Sequence, residues 1–204
     1  MDIPIFAGQG TSAANSLHTI KDCLCSTTSK FLLSRCYEAF TAELQSLSVQ
    51  DLALLDINID DFKTEQDLLH FHNRYATNAV LSGSSLLLIQ VLRYLSFLEA
   101  SNASFQCTLE ANTTVLGFSS GILPACVVAS STSPMSYISN ALEAYRLALW
   151  IGIRIQSYRT QTLTLASLKR DSSLPWSLVV LGLTPETLEK TLTTFNKASK
   201  MFHL

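Results

Sequence analysis

Apolar residues along the chain follow three patterns, each predicting a different kind of element. A brief run, Ile3-Pro4-Ile5-Phe6, ends in Ala7-Gly8-Gln9-Gly10. It predicts a short N-terminal strand and a Gly-x-Gly loop able to bring backbone N–H groups close to a ligand, or simply a turn after an edge strand. Thr11, Ser12 and Asn15 then offer caps for a helix through Leu24. The second pattern has helical spacing. Residues 27–47 carry Phe31, Leu32, Cys36, Ala39, Phe40, Leu44 and Leu47 at that period, and 64–75 and 79–100 predict two further helices. The last of these is apolar on more than one side, as a deeply buried helix is. The third pattern lies in 113–129. There a β-branched run, Thr113-Thr114-Val115-Leu116, gives way at Gly117-Phe118-Ser119-Ser120-Gly121 to small and apolar residues, predicting a strand, a sharp turn and a helix.

A polar loop at 130–134 precedes a long helix over 135–158, with Tyr145, Leu149 and Ile155 on its apolar face. The breaker-containing stretch 169–175 reads as a boundary. Beyond it, 176–181 predicts a strand and 184–196 a helix, with Thr184 as N-cap and Pro185 at the first helical position. The sequence stops at Met201-Phe202-His203-Leu204, where a next strand is expected, and so reads as cut short.

At 204 residues and 48% hydrophobic the chain can bury one sizeable core. Charged residues make up only 15%, against roughly 25% in an average soluble protein. A net charge of -2 favours neither nucleic acid nor an anionic membrane. The most apolar runs, 86–98 and 142–155, are broken by Arg93 or by Arg146 and Arg154 and fall short of the ~20 residues a membrane span needs. The N-terminus lacks a basic region and a signal-peptide core, so a cytoplasmic location is expected. Five cysteines then read as reduced, structural thiols. Cys23-x-Cys25 is too tight for a usual zinc pair, so no metal site is expected.

Asp60-Asp61 reads as a helix start ahead of Phe62 rather than a catalytic pair, because no histidine or third acid stands at ligand spacing. His70 and His72, two residues apart in a predicted helix, point to different faces and cannot share a metal. Gly117-x-Ser119-x-Gly121 is the best candidate for chemistry. It matches the nucleophile-elbow pattern, in which a serine sits on a tight strand-to-helix turn and its flanking glycines let strand and helix approach. The amide of Ser120 then points from the helix N-terminus to where an oxyanion forms. Ser120 itself is excluded as nucleophile because Phe118 and Ile122 would flank it. An ordinary close-packed connection fits the same residues. Arg146 has two readings as well: a clamp for a carboxylate, or a surface arginine lying along its helix.

Taken together, Phe6-Ala7-Gly8-Gln9-Gly10, Val115 to Gly121, Glu143-Ala144-Tyr145-Arg146-Leu147-Ala148 with Ile151-Gly152, and Trp176 to Val180 with the helix that follows resemble one family. It is the starter-unit acyl-carrier-protein transacylase domain of fungal non-reducing polyketide synthases, a branch of the malonyl/acetyl acyltransferase superfamily. The resemblance covers nearly the whole chain. It implies an α/β fold in which an α/β-hydrolase-like large subdomain (1–173, incomplete) is followed by the first β–α of a ferredoxin-like small subdomain (174–204). It further implies that Ser119 accepts an acyl group from acyl-CoA and passes it to the phosphopantetheine thiol of an acyl carrier protein, with no bound cofactor. The backbone amides of Gln9 and Ser120 take the oxyanion-hole positions, and Arg146 that of the arginine which holds a free carboxylate in malonyl-specific relatives. Remaining synthase domains are the other implied partners.

Two departures stand out. Starter transacylases usually carry cysteine where this chain has Ser119, and serine needs a base to ionise. The family's catalytic histidine lies C-terminal to the small subdomain. Here His203 stands in the wrong place for it, and His18, His70 and His72 match no family position. The expectation is therefore an acyltransferase that is weak or inactive as this chain alone. The alternatives are a catalytically incomplete remnant or carrier-protein interaction module, and a small serine hydrolase for which only His203 follows the nucleophile.

Overall fold

The computed structural model describes residues 3–8, 24, 26–70, 73–101, 114–166, 184, 186–187, 189–190 and 193–194. The expected helix through Leu24, the strand at 176–181, Gln9, His18, His72 and His203 lie outside the described residues. The chain divides into two units, Met1–Leu165 and Ala166–Leu204.

The first unit is mixed α/β, mostly helical, with a small parallel sheet. Its elements are β1 (Ile5–Phe6), α1 (Thr27–Gln45), α2 (Val49–Ala53), α3 (Ala79–Ala100), β2 (Leu116–Gly117), α4 (Ile122–Ser130) and α5 (Pro134–Ala166). The α1 helix begins where Ser26 Oγ accepts from the Ser29 N–H at 2.9 Å. Leu32, Cys36, Phe40 and Leu44 recur every four residues on its buried face. Asn78 caps α3 by accepting from the Val80 N–H (3.0 Å), while its side-chain amide donates to the Leu55 carbonyl (2.7 Å). Pro134 opens α5, and Ser133 and Ser136 cap it reciprocally, each hydroxyl accepting from the other residue's N–H.

The α3 helix has the bounds expected from the sequence, but, contrary to the expectation from its apolar run 86–98, by length and composition it could cross a membrane. It is instead a core helix. Leu81, Leu88, Val91, Leu92 and Leu95 are buried on more than one side, and Tyr137 of α5 donates its hydroxyl to the Val91 carbonyl at 2.8 Å. The α5 helix packs closely on the start of α3. At Gly152 an added Cβ would lie 2.6 Å from Val80 Cα, and Gln156 Oε1 accepts from the Ala79 N–H at 3.1 Å.

The helix expected over 64–75 is not formed. Short 3₁₀ turns at Glu65–Leu68 and Asn73–Tyr75 replace it. Asp67 bonds back to both the N–H and the hydroxyl of Thr64, capping the first turn, but that turn ends at Leu68 without continuing as an α-helix. Likewise Asp60-Asp61 belongs to a 3₁₀ turn, Ile59–Asp61, capped by Asn58, rather than to an α-helix start. Asp61 accepts from Tyr75 (2.6 Å) and pairs with Arg74, a structural use of the carboxylate.

In the second unit Thr184 Oγ1 accepts from the Thr187 N–H at 3.3 Å, the N-cap bond that the sequence predicts.

Candidate active site

Strands β1 and β2 pair in parallel, with Ile5 opposite Leu116 and Phe6 opposite Gly117. The Leu116 N–H donates to the Pro4 carbonyl at 3.0 Å and the Phe118 N–H to the Phe6 carbonyl at 2.9 Å. Phe6 is buried and meets the Tyr94 ring edge-on at 5.9 Å. This anchors the exits of both strands side by side.

At the exit of β2 the chain turns through a 3₁₀ turn, Ser119–Gly121, into α4. The Gly121 N–H donates to the Phe118 carbonyl at 2.9 Å and closes the turn. Ser119 is exposed and has φ of 54°. Among the described non-glycine residues it shares a positive φ only with Asp56. That left-handed backbone is unfavourable for a side chain bearing Cβ and persists only where the surroundings enforce it.

The enforcing contacts are steric. A Cβ on Gly121 would strike the Phe6 carbonyl oxygen and come within 2.7 Å of its carbon. A Cβ on Gly117 would strike the Gly121 carbonyl oxygen and lie 2.7 Å from Ile122 Cα. Both flanking glycines are therefore needed for close approach. A third, Gly8, belongs to the same junction: a Cβ there would lie 2.7 Å from Ser119 Cβ and 3.3 Å from its Oγ. The loop after β1 thus runs directly against the candidate serine. Its neighbour in sequence, Gln9, lies outside the described residues.

Ser120 sits in the first turn leading into α4, where backbone N–H groups lack an intrahelical acceptor. Its own hydroxyl is buried without a hydrogen-bond partner. Among the described residues no histidine or carboxylate is hydrogen-bonded to Ser119 Oγ. His70 is exposed and follows the 65–68 turn, its N–H donating to the Gln66 carbonyl. His70 therefore does not lie in a helix, and His72 is outside the described residues.

Arg146 lies on α5 with its Nε 3.3 Å from Glu43 Oε1 of α1, an ion pair rather than a directed hydrogen bond, and its Nη1 donates to Glu143 at 3.4 Å. Trp150 holds the other Glu43 oxygen through its indole N–H at 3.0 Å. The guanidinium therefore already faces two carboxylates.

Sequence reasoning did not reach Gln90 of α3, whose side-chain N–H donates to the Ala7 carbonyl at 2.7 Å. The available signal was a glutamine interrupting the apolar run 86–98.

The profile of the family described as "Starter unit:ACP transacylase in aflatoxin biosynthesis" matches residues 5–203. The chain is 42% identical over 206 aligned positions to an orsellinic acid synthase of Armillaria mellea, covering 96% of this chain and 9% of that protein. It is 30% identical to an orsellinic acid synthase of Beauveria bassiana, covering 98% of this chain and 9% of the other. With the non-reducing polyketide synthase PKS16 of Cladonia grayi the identity is 26%, over 84% of this chain and 8% of the relative. The chain thus spans less than a tenth of the length of these fungal relatives. An exposed serine held at positive φ between two sterically required glycines, in a chain whose sequence matches this profile from residue 5 to 203, leads to one assignment: the chain belongs to the starter unit:ACP transacylase family.

Proposed function

We propose that the chain is the N-terminal part of a starter-unit transacylase domain of a fungal polyketide synthase, acting in the cytoplasm. In this reading 1–173 is an incomplete α/β-hydrolase-like core and 174–204 opens a ferredoxin-like subdomain. Ser119 is the nucleophile. Its Oγ attacks the thioester carbonyl of an acyl-CoA, a base takes the hydroxyl proton, and CoA leaves as the thiol once protonated. The acyl group then passes from Ser119 to the phosphopantetheine thiol of an acyl carrier protein, regenerating the serine. The amides of Gln9 and Ser120 stabilise the oxyanion of each tetrahedral intermediate. The reaction needs no bound cofactor, and its other partners are the remaining synthase domains.

The observation that carries this reading is the backbone of Ser119, left-handed and pressed against Gly8, which lifts the hydroxyl out of the turn into solvent. The positioning of Arg146 bears on the donor. Arg146 is already paired with Glu43 and Glu143, which favours uncarboxylated acyl groups over malonyl.

Intact-mass spectrometry after incubation with acetyl-, hexanoyl- and malonyl-CoA tests the reading. The expected result is a slow, partial acyl adduct from the first two, weaker still with malonyl-CoA and lost in Ser119→Ala, since no base is bonded to Ser119 among the described residues. A folded protein that takes no adduct from any donor would turn the reading to a non-catalytic module that binds a carrier protein.

A further inference from the structure

The geometry points to Gln90 as a positioning residue for the acyl-transfer site, an inference that rests on the function proposed above. Gln90 reaches from α3 to the loop after β1 and donates its side-chain N–H to the Ala7 carbonyl at 2.7 Å. That carbonyl is confined on another side by Gly121, where a Cβ would lie 2.9 Å from its oxygen. A trans peptide is planar, with C=O and N–H pointing in opposite directions. Fixing the Ala7 carbonyl therefore fixes the Ala7–Gly8 peptide plane, which packs on Ser119 and from which the chain continues to Gln9.

Two features argue that the glutamine is kept for this bond rather than for packing. The residues three before and four after it on the same face of α3, Leu87 and Tyr94, are buried, so an apolar side chain would suit that face. The other end of the amide, Oε1, is buried with no hydrogen-bond partner, an arrangement that weakens the fold. Gln90 gives up stability at Oε1 while its N–H group orients the loop. In acyl transfer a shift of about 1 Å in the backbone seated against the nucleophile lowers the rate with little effect on donor binding, so the role separates kinetically from substrate affinity.

Gln90→Met keeps the length of the side chain, removes the donor and also removes the orphaned acceptor. The maximal rate of Ser119 acylation by acetyl- or hexanoyl-CoA, followed by intact mass, should fall roughly 10- to 100-fold. The half-saturating CoA concentration should stay within about twofold of wild type, and the melting temperature should hold or rise. Gln90→Lys, which restores an N–H donor, should recover part of the rate. Acylation of Gln90→Met at the wild-type rate would overturn the inference, as would loss of rate and of melting temperature together.

If the wild-type chain itself takes no acyl group, the functional reading fails, and Gln90 is judged on the ¹³C resonance of the Ala7 carbonyl. A shifted resonance in Gln90→Met, with partial return in Gln90→Lys, supports the positioning role. An unmoved one overturns it.

Discussion

Ser119 carries a backbone strain that can be measured apart from its chemistry. At φ of 54° a residue with Cβ is disfavoured by roughly 1–2 kcal/mol relative to glycine, which adopts that region freely. Ser119→Ala keeps the strain and Ser119→Gly releases it, while both remove the proposed nucleophile. Ser119→Gly should therefore be the more stable of the two by about 1 kcal/mol in urea unfolding, with neither forming an acyl adduct. Equal stabilities would mean that the elbow is not held left-handed in solution. That Ser119 lies on a tight strand-to-helix turn was legible from the sequence, because only this serine has glycine on both sides at the required spacing. Its neighbour Gly8 was legible only as a loop glycine. That Gly8 touches Ser119 follows from the β1–β2 register, and no local pattern encodes a parallel pairing between positions more than 100 residues apart. Arg146 shows the same limit: its helix was predicted, but its pairing with Glu43 depends on how α5 packs against α1.

Between elements, α5 makes a close backbone contact with the first turn of α3. Gly152 lies where a Cβ would come 2.7 Å from the Ala79 carbonyl oxygen and 2.6 Å from Val80 Cα, and backbone cannot rotate away as a side chain can. Gly152→Ala gains up to about 1 kcal/mol of helix propensity. It forces the two helices apart, at a cost of about 1–3 kcal/mol or more. Separation also stretches the bond from the Ala79 N–H to Gln156, which is buried. The net expectation is a loss of about 2 kcal/mol in urea unfolding, and a Gly152→Ala variant as stable as wild type would show that the helices do not meet so closely. Elements were legible where the apolar period was regular, as in α1 and α3, and where closely spaced glycines marked a turn, as at the elbow. Periodicity failed over 64–75, where short 3₁₀ turns at Glu65–Leu68 and Asn73–Tyr75 stand in place of an α-helix. It also stopped short of the end of α5, which continues through Ala166.

Across the core of the first unit, three weak acids are buried together with the apolar side chains. Burial pushes the Cys36 thiol far above its ordinary 9.0. It does the same to the hydroxyls of Tyr137 and Tyr145, whose ordinary value is 10.0, with Tyr94 adding to the effect at Tyr137. At Tyr145 the nearby Cys36 adds to it and a hydrogen bond with Ser84 opposes it. The folded protein keeps these three protons where the unfolded chain releases them. Unfolding therefore releases protons at alkaline pH, and the stability that protonated burial confers is fully present below the unfolded values. It is lost progressively as pH rises past 9.0 for the thiol and past 10.0 for the two phenols. Each group should contribute a slope of up to about 1.4 kcal/mol per pH unit. Guanidinium unfolding should thus show a plateau through pH 8, a fall beginning near 9 and a steeper fall above 10. Cys36→Ala should delay the onset towards 10, and Tyr137→Phe should reduce the slope above it by about one proton. Tyr137→Phe also gives up the bond to the Val91 carbonyl and so starts from a lower plateau. The slope, not the plateau, carries the test. A wild-type curve that stays flat to pH 10.5 would mean that water reaches these groups in the folded state, and that the first unit is not closed around them.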